Sequence, residues 1–142
     1  MPFATLYLTG RVVTPDTRTL LHATTTDILV EVFGAPRPIV AVRIVEELSS
    51  QWSVAGVPIG GAGNEQGNLK TGVLARITMS ETTATDEQIA VAIAALSELF
   101  KESLGSNALP PYIVFEAVPN TRWGYKGKTL AQIYQTDRRA SL

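Results

Sequence analysis

Thr85-Asp86-Glu87-Gln88-Ile89-Ala90-Val91-Ala92-Ile93-Ala94-Ala95-Leu96-Ser97-Glu98-Leu99-Phe100 decides the fold, because it is the second helix of one kind in the chain. Thr85 with Gln88 three residues on is a capping signature. Ile89, Ile93, Leu96 and Phe100 recur at helical spacing and predict one buried face. The helix is expected to run to about Leu104, with Gly105 behind it as the stop. β-branched runs flank it: Val73 to Met79 before, and Tyr112-Ile113-Val114-Phe115 after.

The same order stands in the first half. Residues 3–9 alternate as a strand does. Thr14-Pro15-Asp16 opens a helix with proline in its first turn, and Gly34 closes it after Phe33. Ile39 to Val45 is a β-branched run, and Glu46 to Gly56 reads as a turn and short hairpin. Pro119 to Gly127 mirrors that hairpin. Trp52 and Trp123 are 71 apart (123 − 52), while Asp16 and Asp86 (86 − 16) and Glu46 and Glu116 (116 − 46) are 70 apart. Markers sharing nearly one offset argue for duplication. The expected division is a first unit over 1–56, a Gly- and Asn-rich linker over 57–71, and a second unit over 72–142.

Each unit reads strand–helix–strand–hairpin, and a connection of that size implies parallel strands with a right-handed crossover. The expected fold class is α+β, an α/β sandwich. In it, two tandem β-α-β units give a four-stranded mixed sheet with two helices on one face. The other face needs cover, which several sheets packed about an axis would supply.

Composition excludes several classes. Among 142 residues, 12 basic against 13 acidic side chains leave a net charge of −1, so no basic footprint points to nucleic acid or anionic membrane. There is no cysteine, which excludes disulfides and thiolate metal sites. The single histidine, His22, lies among Leu20, Leu21 and Ala23 in a helix, where a structural role is expected. No signal-peptide pattern and no run of 18 apolar residues is read, so a soluble, cytoplasmic protein is the expectation. Charged residues make up only 18% of the chain, which suggests surface hidden between subunits.

Pro2 is the candidate for chemistry. It precedes a strand directly, and a strand-edge proline with no N–H to waste is its ordinary reading. Removal of Met1 would turn its nitrogen from a tertiary amide into a secondary amine, a candidate general base.

Together these residues resemble the tautomerase superfamily. The pattern is Met1-Pro2, a strand, Gly10-Arg11, a helix from Thr14-Pro15-Asp16, and Ala35-Pro36 before a strand carrying Arg43. It is similar to the single unit of 4-oxalocrotonate tautomerase. The second half, with Thr85-Asp86-Glu87-Gln88 and Val118-Pro119-Asn120-Thr121-Arg122-Trp123-Gly124, is similar to the double-length fused members and the macrophage migration inhibitory factor group. The resemblance implies a homotrimer with sites at subunit seams, no metal and no organic cofactor. It implies Pro2 as general base for keto–enol tautomerisation of small 2-oxo or 2-hydroxy-dienoate acids, carboxylate or aryl enols. A non-catalytic trimeric binding or signalling protein is the alternative.

The resemblance also proposes substrate-binding residues. Arg11 follows the first strand and matches the family's Gly-Arg. Arg43 matches the family arginine when counted from Pro38, but shifts by one when counted back from Glu47-Leu48. A one-residue shift swaps the faces of a strand. Tyr112 aligns with an active-site tyrosine and Trp123 with an aromatic wall. Departures are Ala35 in place of a lysine, Val114 in place of an asparagine, and Ser80-Glu81-Thr82-Thr83 where the dehalogenase and decarboxylase branches carry arginines.

Overall fold

The computed structural model describes residues 2–9, 13–59, 70–82, 84–105 and 108–140. The elements are β1 (Phe3–Thr9), α1 (Pro15–Phe33), β2 (Ala41–Glu47), a hairpin of β3 (Ser53–Val54) and β4 (Val57–Pro58), and β5 (Gly72–Ser80). Then come α2 (Asp86–Leu104), β6 (Tyr112–Val118), a second hairpin of β7 (Gly124–Tyr125) and β8 (Lys128–Thr129), and α3 (Leu130–Ala140). The main sheet runs β2-β1-β5-β6. β1 with β2 and β5 with β6 are parallel, and β1 with β5 is antiparallel, so the sheet is mixed. α3 lies beyond the two helices expected from the sequence.

The elements of the two halves correspond at one shift of 71 residues. It carries α1 onto α2 (86 − 15 and 104 − 33) and β2 onto β6 (112 − 41 and 118 − 47). It carries the caps Thr14 and Gly34 onto Thr85 and Gly105. It also carries the left-handed pair Ala55 and Gly56 onto Lys126 and Gly127. The 70-residue matches of Asp16 with Asp86 and Glu46 with Glu116 are therefore one residue out of register. The pairing of side chains shows why this matters. Glu46 turns to the helix side and meets Arg18 of α1 at 2.9 Å, whereas Glu116 pairs with Arg76 of β5.

Alternation along the strands separates a helix face from an open face. Ala4, Leu6 and Leu8 of β1 and Val73, Ala75, Ile77 and Met79 of β5 are buried under the helices. α1 contributes Leu21, Ile28, Leu29 and Phe33; α2 contributes Ala92, Leu96, Leu99, Phe100 and Leu104. Ile93 is turned away and 36% exposed, because the buried stripe of α2 runs through Ala92 and Leu99 instead. α1 and α2 pack on each other, and each buries a small residue fully, Thr25 and Ala92. Among the described residues, no helix is long and apolar enough to cross a membrane.

The open face carries Phe3, Thr5 and Tyr7 of β1 beside Arg43 and Val45 of β2. On the other side stand Leu74 and Arg76 of β5 and Tyr112, Val114 and Glu116 of β6. Phe3, Tyr112 and Val114 are exposed there in a single chain. Arg76 donates from Nε to Glu116 at 3.1 Å, and that hydrogen bond and charge raise its pKa above the ordinary arginine value.

Candidate active site

Pro2 is buried just ahead of β1, and its carbonyl accepts from Ala41 N at 3.4 Å. The β1–β5 ladder sets Phe3 opposite Thr78. One further step sets Pro2 beside Met79, with its nitrogen side toward Ser80. The same end of the sheet receives the C-terminal end of β6, because Ser80 is the register partner of Val118. The chain leaving β6 therefore gathers around the proline end.

Three polar side chains close a ring there. Ser80 Oγ donates to Asn120 Oδ1, Asn120 Nδ2 donates to Thr82 Oγ1 at 3.3 Å, and Thr82 Oγ1 lies 3.1 Å from Ser80 Oγ. An amide nitrogen only donates and an amide oxygen only accepts. Thr82 must then donate to Ser80, so each member donates once and accepts once. Ser80 is 2% exposed, so water cannot substitute for these partners. The ring borders a cleft of about 460 Å³ lined by Thr82, Asn120, Ala131, Tyr134, Gln135 and Asp137, the last four from α3.

The sequence candidates are distributed as follows. Trp123 lies half-buried between β6 and β7, with its carbonyl accepting from Leu130 N at 2.9 Å. Arg43 is the register partner of Thr5 and donates from Nη2 to Thr5 Oγ1 at 3.4 Å, so it stands on the open face. Its guanidinium lies over the Phe3 ring, 5.9 Å from the centroid. Thr5 is three residues from Pro2, about 10 Å along a strand. Arg11 lies outside the described residues.

Tyr112 is at the other end of the sheet. It is opposite Leu74, which is opposite Tyr7. That is five residues from Pro2, roughly 17 Å along a strand. Within one chain the structure does not bring Tyr112 and Pro2 together. Tyr112 instead lines an uncharged cleft of about 230 Å³ with Trp52, Val54, Gly72, Val73, Leu109, Pro110 and Pro111. The repeat gives this cleft its meaning: Val73 is the position equivalent to Pro2 (73 − 2 = 71), but its nitrogen is a peptide nitrogen inside the chain. Gly72 is bare because a Cβ there would come 2.9 Å from Thr9 Cγ2 and 3.0 Å from the Trp52 ring.

Sequence reading did not find the ring. Ser80 and Thr82 attracted notice only for the arginines they replace, and Asn120 only as part of a hairpin. The repeat held the signal, since Ser80 is the counterpart of Thr9 and Asn120 of Ser49 (80 − 9 and 120 − 49 are both 71). Thr9 Oγ1, by contrast, is buried with no hydrogen-bond partner among the described residues.

No protein-family model matches the sequence, and no curated protein matches it. Solved structures do. Pt0534 inactivated by 2-oxo-3-pentynoate is 21% identical over 92% of this chain and 98% of that one, with a TM-score of 0.78. A wild-type fused 4-OT symmetric trimer is 23% identical over 91% and 96%, with a TM-score of 0.74. A macrophage migration inhibitory factor-like protein from Entamoeba histolytica is 19% identical over 90% and 97%, with a TM-score of 0.64. Together with the doubled strand–helix–strand–hairpin unit and its mixed sheet, these likenesses show that the chain has the fold of fused 4-OT and macrophage migration inhibitory factor-like proteins.

Proposed function

We propose that the chain is a cofactor-independent tautomerase in which Pro2, freed by removal of Met1, is the general base for small 2-oxo or 2-hydroxy-dienoate acids. The observation that carries this reading is the contrast at the two equivalent positions. At one, a proline capable of becoming a chain-end amine is buried one register step from Ser80 of the polar ring. At the other, Val73 offers no amine and the cleft is apolar.

Burial disfavours the ammonium form and lowers the amine pKa toward the working pH, where a general base is most effective. The amine would take a proton alpha to the substrate carbonyl, the carbonyl oxygen would carry the developing charge, and the proton would return to the conjugated carbon. A carboxylate on the substrate needs cations. The segment from Asn120 to Thr129 carries Arg122, Lys126 and Lys128 and no acidic residue, whereas its counterpart from Ser49 to Pro58 carries no charge at all. Arg43 and Arg11 are further carboxylate partners in this reading.

Self-association as a homotrimer completes the site. The wild-type fused 4-OT neighbour is a trimer, and the open face of this chain exposes Phe3, Tyr112 and Val114. Tyr112, too distant from Pro2 in its own chain, would reach the proline of a neighbouring copy.

2-Oxo-3-pentynoate, with which Pt0534 was inactivated, provides the test. An amine adds to the conjugated alkyne: an N–C bond forms, the triple bond becomes a double bond, and the amine proton moves to carbon. One adduct per chain on a peptide beginning at Pro2 is expected. An unmodified N-terminal peptide would overturn the reading.

A further inference from the structure

We infer that Asn120 is a substrate-binding residue whose free amide N–H meets the substrate oxygen, and that Ser80 and Thr82 are positioning residues for it; the inference rests on Pro2 being the base. The hydrogen-bond inventory carries it. An asparagine amide has two N–H donors. One is spent on Thr82 Oγ1, and among the described residues the other has no partner. Turning the amide over reverses the direction of the ring but still leaves one N–H unspent, so the conclusion holds for either orientation.

The ring fixes where that donor stands. Ser80 is locked by Asn120, by Thr82 Oγ1 and by Thr82 N at 3.4 Å, and it is almost wholly buried. It stands at the next register step beyond Met79, on the strand adjacent to Pro2, about 5 Å across. Asn120 reaches over that strand end from the turn after β6. Its own backbone is held as well, since its carbonyl accepts from Ala131 N at 3.0 Å as α3 begins. The amide is therefore held from both ends, and it borders the cleft under α3.

Its placement matches the chemistry. A substrate of four to six carbons with its alpha carbon at the Pro2 nitrogen extends its carbonyl oxygen into the space beyond Ser80. A neutral donor already oriented there stabilises charge as it develops and needs no reorganisation. It also spares the amine: a carboxylate in the same place would stabilise the ammonium and raise its pKa. The equivalent position at the other end, Ser49, has no amide to offer.

The test uses the full chain with Met1 removed and an arylenolpyruvate as substrate. Asn120→Ala is expected to lower kcat by about tenfold to a hundredfold with KM nearly unchanged, as for a donor whose bond strengthens in the transition state. Thr82 is exposed, so its variants are not expected to disturb folding. Thr82→Val is expected to lower kcat by a few-fold, and Thr82→Ser to restore it. A melting temperature within a few degrees of wild type certifies each variant. Wild-type kcat in Asn120→Ala, in an enzyme that Pro2→Ala inactivates, overturns this inference and leaves the proline reading standing. Equal effects of Thr82→Val and Thr82→Ser overturn the positioning role. Turnover that is insensitive to Pro2→Ala, or no turnover at all, overturns both.

Discussion

The proline end and the Val73 end of the sheet correspond at one shift and differ in nearly everything except backbone. The shift of 71 residues maps caps, helices, hairpins and left-handed residues of one half onto the other. Yet Pro2 corresponds to Val73, the bonded Ser80 to a Thr9 hydroxyl with no partner among the described residues, and a cationic hairpin to a neutral one. Packing positions are held by the core, so both halves keep them buried, as Leu29 and Phe100 are. Residues at the strand ends are free of that constraint, and a backbone nitrogen is an amine only at a chain end.

Pro2→Ala tests that contrast most severely. Loss of the base should cut kcat/KM for an enol acid by about a hundredfold to ten-thousandfold. An unchanged rate would place the chemistry elsewhere. Next come equivalent core positions, Phe100 and Leu29, both essentially fully buried. Phe100→Ala should cost about 3–5 kcal/mol and Leu29→Ala about 2–5 kcal/mol in denaturant unfolding, because both leave cavities under one sheet. A loss below about 1 kcal/mol at either position would show that the two halves do not share one core.

Gly72→Ala addresses the apolar end alone. Its Cβ would press on Thr9 and Trp52, for about 1–3 kcal/mol of destabilisation. Trp52→Ala in the same chain should recover part of that loss, which a double-mutant cycle would read as coupling. The smallest difference lies between the helix starts. Gln88 completes the cap of α2 and donates from Nε2 to Val32 O of α1 at 3.1 Å. Its counterpart Thr17 (88 − 71) is too short for such a bridge. Gln88→Ala should cost about 1–2 kcal/mol and Thr17→Ala under about 0.5 kcal/mol; equal costs would remove the asymmetry.

Much of the fold was legible because its markers are under physical constraint. Thr85 and Gln88 must be close to cap a helix, and Gly34 adopts a left-handed φ of 65° that favours glycine. Asp16 and Glu46 misled by one residue because exposed acids drift freely between repeats. α3 was missed although its start repeats the same signature: Thr129 accepts from Gln132 N at 3.2 Å and Gln132 Oε1 accepts from Thr129 N at 2.9 Å. The face on which Arg43 stands needed the β1–β2 register, which counting from Pro38 or from Leu48 left open. The Ser80–Thr82–Asn120 ring joins residues 40 apart in sequence (120 − 80) and forms only once β6 lies beside β5.

The intact mass of the natively expressed protein is the most direct measurement, because the proposed base does not exist while Met1 is attached. The account predicts a chain lighter than the 15.3 kDa full sequence by one methionine residue, with Pro2 first. A native protein that retains Met1 and still converts an enol acid would contradict it.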